Sequence, residues 1–475
     1  MKLGFLEVLS SSDIREIHEA SLDILSGCGV KILSPRMLEF LKGKGLKTDA
    51  AGQLVYFSPT NVEDALASIP PRFEVFDREG RPAFSLGGGE SRIAAGHNAV
   101  NWVDSDTGET RFSRVADVET FARLCQRLEA IDMIGIPVMP QDVPDPAASL
   151  LYGVRAVIEN STKPVYFSTD SARVNNAIIE LLRAAFAGNL KERVYGIAQF
   201  SPTSPLYWEE GVLEAFLDMA GSGVPIAVLP EPIAGVSAPY TLAGLLTMDN
   251  AECLSGLAMI QLLSPGSPVL YANSWTASNM QNGAALVGST ETTICRIAGA
   301  QLARFYKCPS HTTAPNSDNH AHDEQNAWEK TLSTFCSVGA GNDLIVNCGM
   351  FATGLTCSHE QLLMDEAISA FSRRISQGLL VNRDTVAAEL IKERGPRGET
   401  YLTADHTLQW LRSSEYVRPR LSVTGSFGLW KEAGAKDTYA LAREEAKRLA
   451  AAAPEPFDPR RRARLAEIIA GFRGR

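Results

Sequence analysis

The chain has no apolar run near the roughly 20 residues that a membrane-crossing helix needs; bounded runs such as Leu254 to Leu263 stop well short. Its amino terminus, Met1 to Ser12, is broken by Glu7 and lacks a small-residue cleavage pattern, so no signal peptide is read there and a cytoplasmic protein is expected. C-x-x-C pairs are missing too. The eight cysteines (28, 125, 253, 295, 308, 336, 348 and 357) are scattered, and 475 residues are enough to bury a core without disulfides, so reduced, mostly buried thiols are expected. Only Cys348, beside a strand end, merits attention as a substrate neighbour. There is no basic excess: 45 Lys and Arg against 55 Asp and Glu leave a net charge of −10, which argues against nucleic acid as a partner. Neither H-E-x-x-H nor a phosphate loop occurs, because Gly87-Gly88-Gly89 is followed by no helix start and no Lys-Ser/Thr, and reads as a turn.

What is present is an ordinary globular composition, 45% apolar and 21% charged. Residues 1–115 read as an N-terminal α+β segment, opening with a helix from Ser12 that carries Ile14, Ile17, Ala20 and Ile24 at helical spacing and ends at Gly27. Strands follow at Leu54 to Phe57, Phe73 to Phe76 and Arg92 to Val103. From 116 to 415 the pattern alternates long helices with short apolar strands, which is the grammar of a parallel sheet covered on both faces. Seven strands are legible: Met133 to Met139, Pro164 to Ser168, Tyr195 to Phe200, Pro225 to Leu229, Pro268 to Asn273, Ser310 to Pro315 and Asp343 to Cys348. The expected fold class is therefore α/β, a (β/α)8 TIM barrel whose eighth strand is not apparent, followed by a C-terminal helical extension over 416–475.

Chemistry in such a barrel sits at the carboxyl ends of the strands. The residues just past them include Ser168-Thr169-Asp170, Gln199-Phe200, Pro230-Glu231, Asn273-Ser274-Trp275 and Phe351. The densest polar cluster, Asn316 to Gln325, lies between an apolar strand and a helix. Asp318, His320, His322 and Asp323 offer imidazole and carboxylate to a metal, without any framework spacing; an N-cap carboxylate beside surface histidines is the plainer alternative. His97-Asn98 follows Gly96, a residue that permits close backbone approach. Phe200, Trp275 and Phe351 could together cage a cation, whereas each taken alone reads as core.

Taken in order, these segments resemble the trimethylamine methyltransferase (MttB-like) superfamily. The resemblance is carried by His18-Glu19-Ala20-Ser21, Asp104-x2-Thr107-Gly108, Ser204-Pro205-Leu206, Ile233-Ala234-Gly235, Asn250-Ala251-Glu252, Pro265-Gly266-x-Pro268, Asp318-x-His320-x2-Asp323-x-Gln325 and Ser358-x-Glu360-Gln361. It implies a barrel that docks a small corrinoid protein over its mouth and passes a methyl group to Co(I) cobalamin, with no corrinoid held tightly by this chain itself. Archaeal trimethylamine enzymes of the family carry pyrrolysine near the segment that looks like Ala314 to Asp318, where this chain has only standard residues. The resemblance therefore implies a quaternary amine, such as glycine betaine or a similar betaine, which leaves as a neutral amine and needs no special activating residue. On this reading Asn316, Asp318 and His320 orient the substrate at the catalytic centre; His97, Asn98, Gln199, Phe200, Glu231, Asn273, Trp275 and Phe351 bind it, and no metal is used. Rival readings are a metal-dependent barrel hydrolase and a non-catalytic quaternary-amine-binding protein. Self-association is a general expectation for barrels.

Overall fold

Side chains of a strand alternate between its two faces, and in a barrel one face is the interior. The computed structural model describes residues 4–49, 51–169, 171–417 and 420–473. Eight parallel strands close on themselves: β1 (Arg92–Ala95), β2 (Met133–Ile134), β3 (Val165–Ser168), β4 (Gly196–Phe200), β5 (Ile226–Val228), β6 (Val269–Asn273), β7 (Ser310–Thr313) and β8 (Leu344–Cys348), with β8 paired to β1. Ala94, Tyr166, Ile197, Ala227, Leu270, Ala272 and Val346 point inward into one cluster, while Ile93, Val165, Phe167, Ala198, Val228 and Tyr271 point outward to the helices.

The missing eighth strand is β1, inside the stretch expected to form one strand from Arg92 to Val103 in the N-terminal segment. That stretch is two strands. Arg92–Ala95 enters the barrel, and Asn101–Val103 joins a separate sheet with Thr110–Phe112 and Thr356–Cys357. The break is at Gly96, where φ is +84° and a Cβ would stand 2.6 Å from the Cα of Pro137, so the two loops touch backbone to backbone. With only one isoleucine and two alanines, β1 has little hydrophobic contrast, which hid it among the preceding hairpins. Asp170 lies outside the described residues.

The base of the barrel is closed by the hairpin Phe73–Phe76/Pro82–Leu86, whose Val75, Phe84 and Leu86 pack directly on Ala94, Met133, Ile197 and Leu344. Gly87 and Gly89 then donate their N–H groups to Asp343 Oδ1 at 3.0 and 2.9 Å, so the triple glycine is a turn anchored beneath β8.

At the amino terminus the helix Ser11–Gly27 is capped by Ser10 rather than Ser12, because Asp13 completes a capping box by accepting the Ser10 N–H at 2.7 Å. Ser358 caps His359–Gln377, but Gln361 donates its amide to Asp365 at 2.8 Å instead of returning to the cap. The helix Thr438–Ala450 lies on His359–Gln377, and Pro459–Arg473 lies on Ala172–Ala185. No helix among the described residues is long and apolar enough to cross a membrane.

Candidate active site

At the carboxyl end of the barrel the inward positions turn from apolar to polar. Tyr166 of β3 meets two of them: its hydroxyl donates to Gln199 Oε1 of β4 and lies 2.9 Å from His311 Nε2 of β7. The Tyr166 and His311 rings stack at 5.5 Å, and His97 meets Tyr166 edge-on at 5.7 Å. A second chain of hydrogen bonds runs round the mouth. His97 Nδ1 is 3.2 Å from Asn347 Oδ1, Asn347 donates to Asn316 Oδ1 at 2.9 Å, Asn316 donates to Thr313 O at 3.1 Å, and the Thr313 and Ser274 hydroxyls are 3.3 Å apart. Ser274 in turn hydrogen-bonds Glu231. On the far side Asn98 donates to Ser168 Oγ at 2.6 Å.

One backbone irregularity makes this ring possible. The pairing of β8 with β1 slips between Val346 and Cys348, and the extra residue, Asn347, has φ +108°. A bulge re-aims a side chain that regular alternation would send outward, and a non-glycine residue there is strained by about 1–3 kcal/mol. The hydrogen bonds to His97 and Asn316 hold it.

These groups border a cavity of about 660 Å³ lined by His97, Asn98, Ser168, Gln199, Phe200 and Glu231, with Met139, Leu150 and Val174 on its apolar side. Burial drives the His97 imidazole down to about 4 and His311 to about 3, so both are neutral at pH 7. Glu231 has solvent access through the cavity but is otherwise walled by protein. Loss of water pushes its carboxyl above the usual range, and the Ser274 hydrogen bond pulls it partly back.

The expected site residues thus divide. His97, Asn98, Gln199, Phe200 and Glu231 meet at the cavity, and Asn316 reaches it through Asn347 and Thr313. Asn273 does not: it points out of the barrel, where its Oδ1 accepts the Thr312 hydroxyl and its amide rests against Gly299. Trp275, on the same outward parity, is buried in the outer core. The three aromatics form no common cage, since the Phe200 ring is set edge-on against Phe216 and Phe351 packs on His322. Tyr166, Ser274, His311, Thr313 and Asn347 were missed. Alternation along β3 and β6 was the signal for Tyr166 and Ser274, whereas β7, Ser-His-Thr-Thr, has no apolar residue to count from and Asn347 sits in a bulge.

The polar loop after β7 is mostly a clamp. Asp318 accepts the N–H groups of Val287 and Gly288 at 2.9 and 3.0 Å and the Thr353 hydroxyl at 3.2 Å, tying together the loops after β6, β7 and β8. Asp323 caps the helix Glu324–Gly339, His322 lies against Phe351 and Tyr439, and His320 is exposed. Asp318, His322 and Asp323 thus face separate partners and His320 faces solvent, and no group of three or more His, Cys, Asp and Glu gathers among the described residues. Cys348 points outward toward Ser369.

Residues 1–473 match the family described as trimethylamine methyltransferase (MTTB). The chain belongs to that family. It is 30% identical over 470 residues to trimethylamine methyltransferase MttB of Desulfitobacterium hafniense, spanning 98% of this chain and 94% of that protein. A glycine betaine methyltransferase of the same species is 28% identical, over 98% of this chain and 96% of the relative. Among solved structures, the Methanosarcina barkeri monomethylamine methyltransferase MtmB superposes with a TM-score of 0.53 at 12% identity, covering 94% of this chain and 88% of that one, which shows the shared fold. As a member of the MTTB family the protein is a methyltransferase, and the reading as a non-catalytic binder is set aside.

Proposed function

We propose that this methyltransferase takes a methyl group from a quaternary amine and delivers it to the cobalt of a corrinoid carried by a separate protein. The observation that carries the proposal is the cavity: at the open end of the barrel, its one charged lining side chain among the described residues is the carboxylate of Glu231. Both histidines beside it are held neutral by burial, so nothing there repels a cation.

A quaternary ammonium departs as a neutral amine, and the reaction therefore needs no proton donor. The work left to the chain is to remove water from the cation and to aim one methyl outward. Glu231, with Ser274 behind it, attracts the ammonium; Met139, Leu150 and Val174 exclude water from its methyl groups; Gln199 and Asn98, fixed by Tyr166 and Ser168, bound the remaining space. Asn316 acts through Asn347 and His97, setting the shape of the mouth.

The corrinoid supplies a low-valent cobalt nucleophile. Its fit rests on the face around the mouth, where Val100, Val236, Tyr240, Met280 and Leu355 are exposed apolar side chains on loops that follow β1, β5, β6 and β8. Such a rim suits a docking protein. The similarity to a glycine betaine methyltransferase supports the choice of a quaternary amine, and the absence of any special residue between Ala314 and Asp318 agrees with it.

The test mixes purified protein with reduced cobalamin and, separately, trimethylamine, glycine betaine, carnitine and choline, following loss of the Co(I) absorbance. Turnover with a quaternary amine and none with trimethylamine is expected. Turnover with trimethylamine alone would overturn the proposal.

A further inference from the structure

The quaternary-amine reading leaves open whether the substrate carries a carboxylate, and the charges at the cavity bear on that. A betaine brings its own anion within a few ångströms of its ammonium, so a site that favours it places positive charge opposite. No Lys or Arg is among the lining side chains of the described residues. Two buried cations of the barrel are committed elsewhere: Arg296 donates to Thr313 O at 2.6 Å and Val287 O at 2.7 Å, and Lys330 is paired to Asp365 at 2.9 Å. His97 and His311 could supply positive charge only if protonated. They face Tyr166, Asn347 and one another, and among the described residues no carboxylate hydrogen-bonds to them.

The side chains of the hydrogen-bonded ring also donate to one another. The Asn98 amide is given to Ser168 Oγ at 2.6 Å, those of Asn347 and Asn316 to their neighbours in the ring, and the Tyr166 hydroxyl to Gln199. The helical turn Pro146–Ala148 borders the cavity, but Asp145 already accepts the N–H of Ala147 at 3.0 Å. Against these stands Glu231, which faces the cavity with Ser274 as its hydrogen-bond partner. A second carboxylate in this space would meet Glu231 without a counter-charge, whereas a lone cation neutralises it.

We infer that the site selects a quaternary ammonium without a carboxylate, of the choline or tetramethylammonium type, over glycine betaine and carnitine, and that Glu231 sets this choice. The inference rests on the quaternary-amine reading and narrows it. Glu231 is a specificity-determining residue: its carboxylate pairs with the ammonium in the bound state and opposes any anion tethered to it. A hydroxyl on the substrate is compatible with the uncharged polar wall formed by Gln199, Ser168 and Thr169.

The experiment measures dissociation constants of tetramethylammonium, choline, glycine betaine and carnitine by calorimetry at pH 7.5, for the wild-type protein and for Glu231→Gln, beside Co(I) methylation rates with the same compounds. In the wild type the two carboxylate-free cations should bind at least tenfold tighter than either zwitterion. Glu231→Gln should weaken the cations and tighten the zwitterions, closing most of the gap. Glycine betaine bound as tightly as choline or more so would overturn the inference while leaving the quaternary-amine reading intact. If no quaternary amine binds or reacts, both fall. The wild-type ranking decides the matter even if the variant folds poorly.

Discussion

Glu231 and Asp318 both stand at the mouth of the barrel, both are carboxylates, and burial pushes both above the ordinary range. Their surroundings differ. Asp318 accepts two backbone N–H groups and a hydroxyl from the surrounding loops, whereas Glu231 has Ser274 and faces open space. The loop after β7 is the most polar stretch of the sequence and spends its polarity on itself. The strand ends, less conspicuous in the sequence, place theirs around the cavity. A carboxylate's surroundings, more than the number of polar residues near it in the chain, separate a clamp from a binding group.

The largest expected effect that sharpens this contrast is on acid stability. His97 and His311 are neutral when folded, with values of about 4 and about 3 against 6.5 for a free imidazole. Between those limits the unfolded chain binds more protons, so stability is full above about pH 6.5 and falls as the pH is lowered towards 4. At pH 5 the loss from His311 is about 2 kcal/mol, and less from His97, which retains some access to the cavity. Thermal midpoints between pH 7.5 and 5 in wild type and His311→Gln test this; equal slopes would refute it.

Next in size is Asp318→Ala, which strands the N–H groups of Val287 and Gly288 and should cost about 2 kcal/mol in denaturant unfolding. Glu231→Gln, by contrast, should leave stability within about 1 kcal/mol while changing ligand affinity, because it removes a charge that folding disfavours. An Asp318→Ala protein as stable as wild type would erase the distinction between clamp and binding group. The smallest effect is expected at exposed His320: replacement by Ala should shift stability by less than about 0.5 kcal/mol and leave methyl transfer unchanged. A large loss of activity there would return the loop to the centre of the mechanism.

The barrel was legible because most of its strands are apolar on both faces and separated by long helices, β7 with Ser-His-Thr-Thr being the exception. The eighth, Arg-Ile-Ala-Ala, carries too little hydrophobic contrast to stand out, and that is also why His97 and Asn98 were assigned to an N-terminal segment although they follow a barrel strand. Of the strand-end residues, those on the inward parity reached the cavity. Gln199 and Glu231 were found; Ser274 and His311 share their parity and were passed over, while Asn273 and Trp275 were favoured for their chemistry and face the helices. Asn347 breaks the count by one residue, and no alternation rule reveals a bulge before the register is known.

The hairpin that plugs the base of the barrel with Val75, Phe84 and Leu86 governs traffic. A vessel sealed at the bottom has a single doorway, and a corrinoid protein seated on the mouth would stand in it. On the proposed function, amine would have to enter before that lid came down and the demethylated product would wait until it lifted, so partner exchange would be part of every turnover.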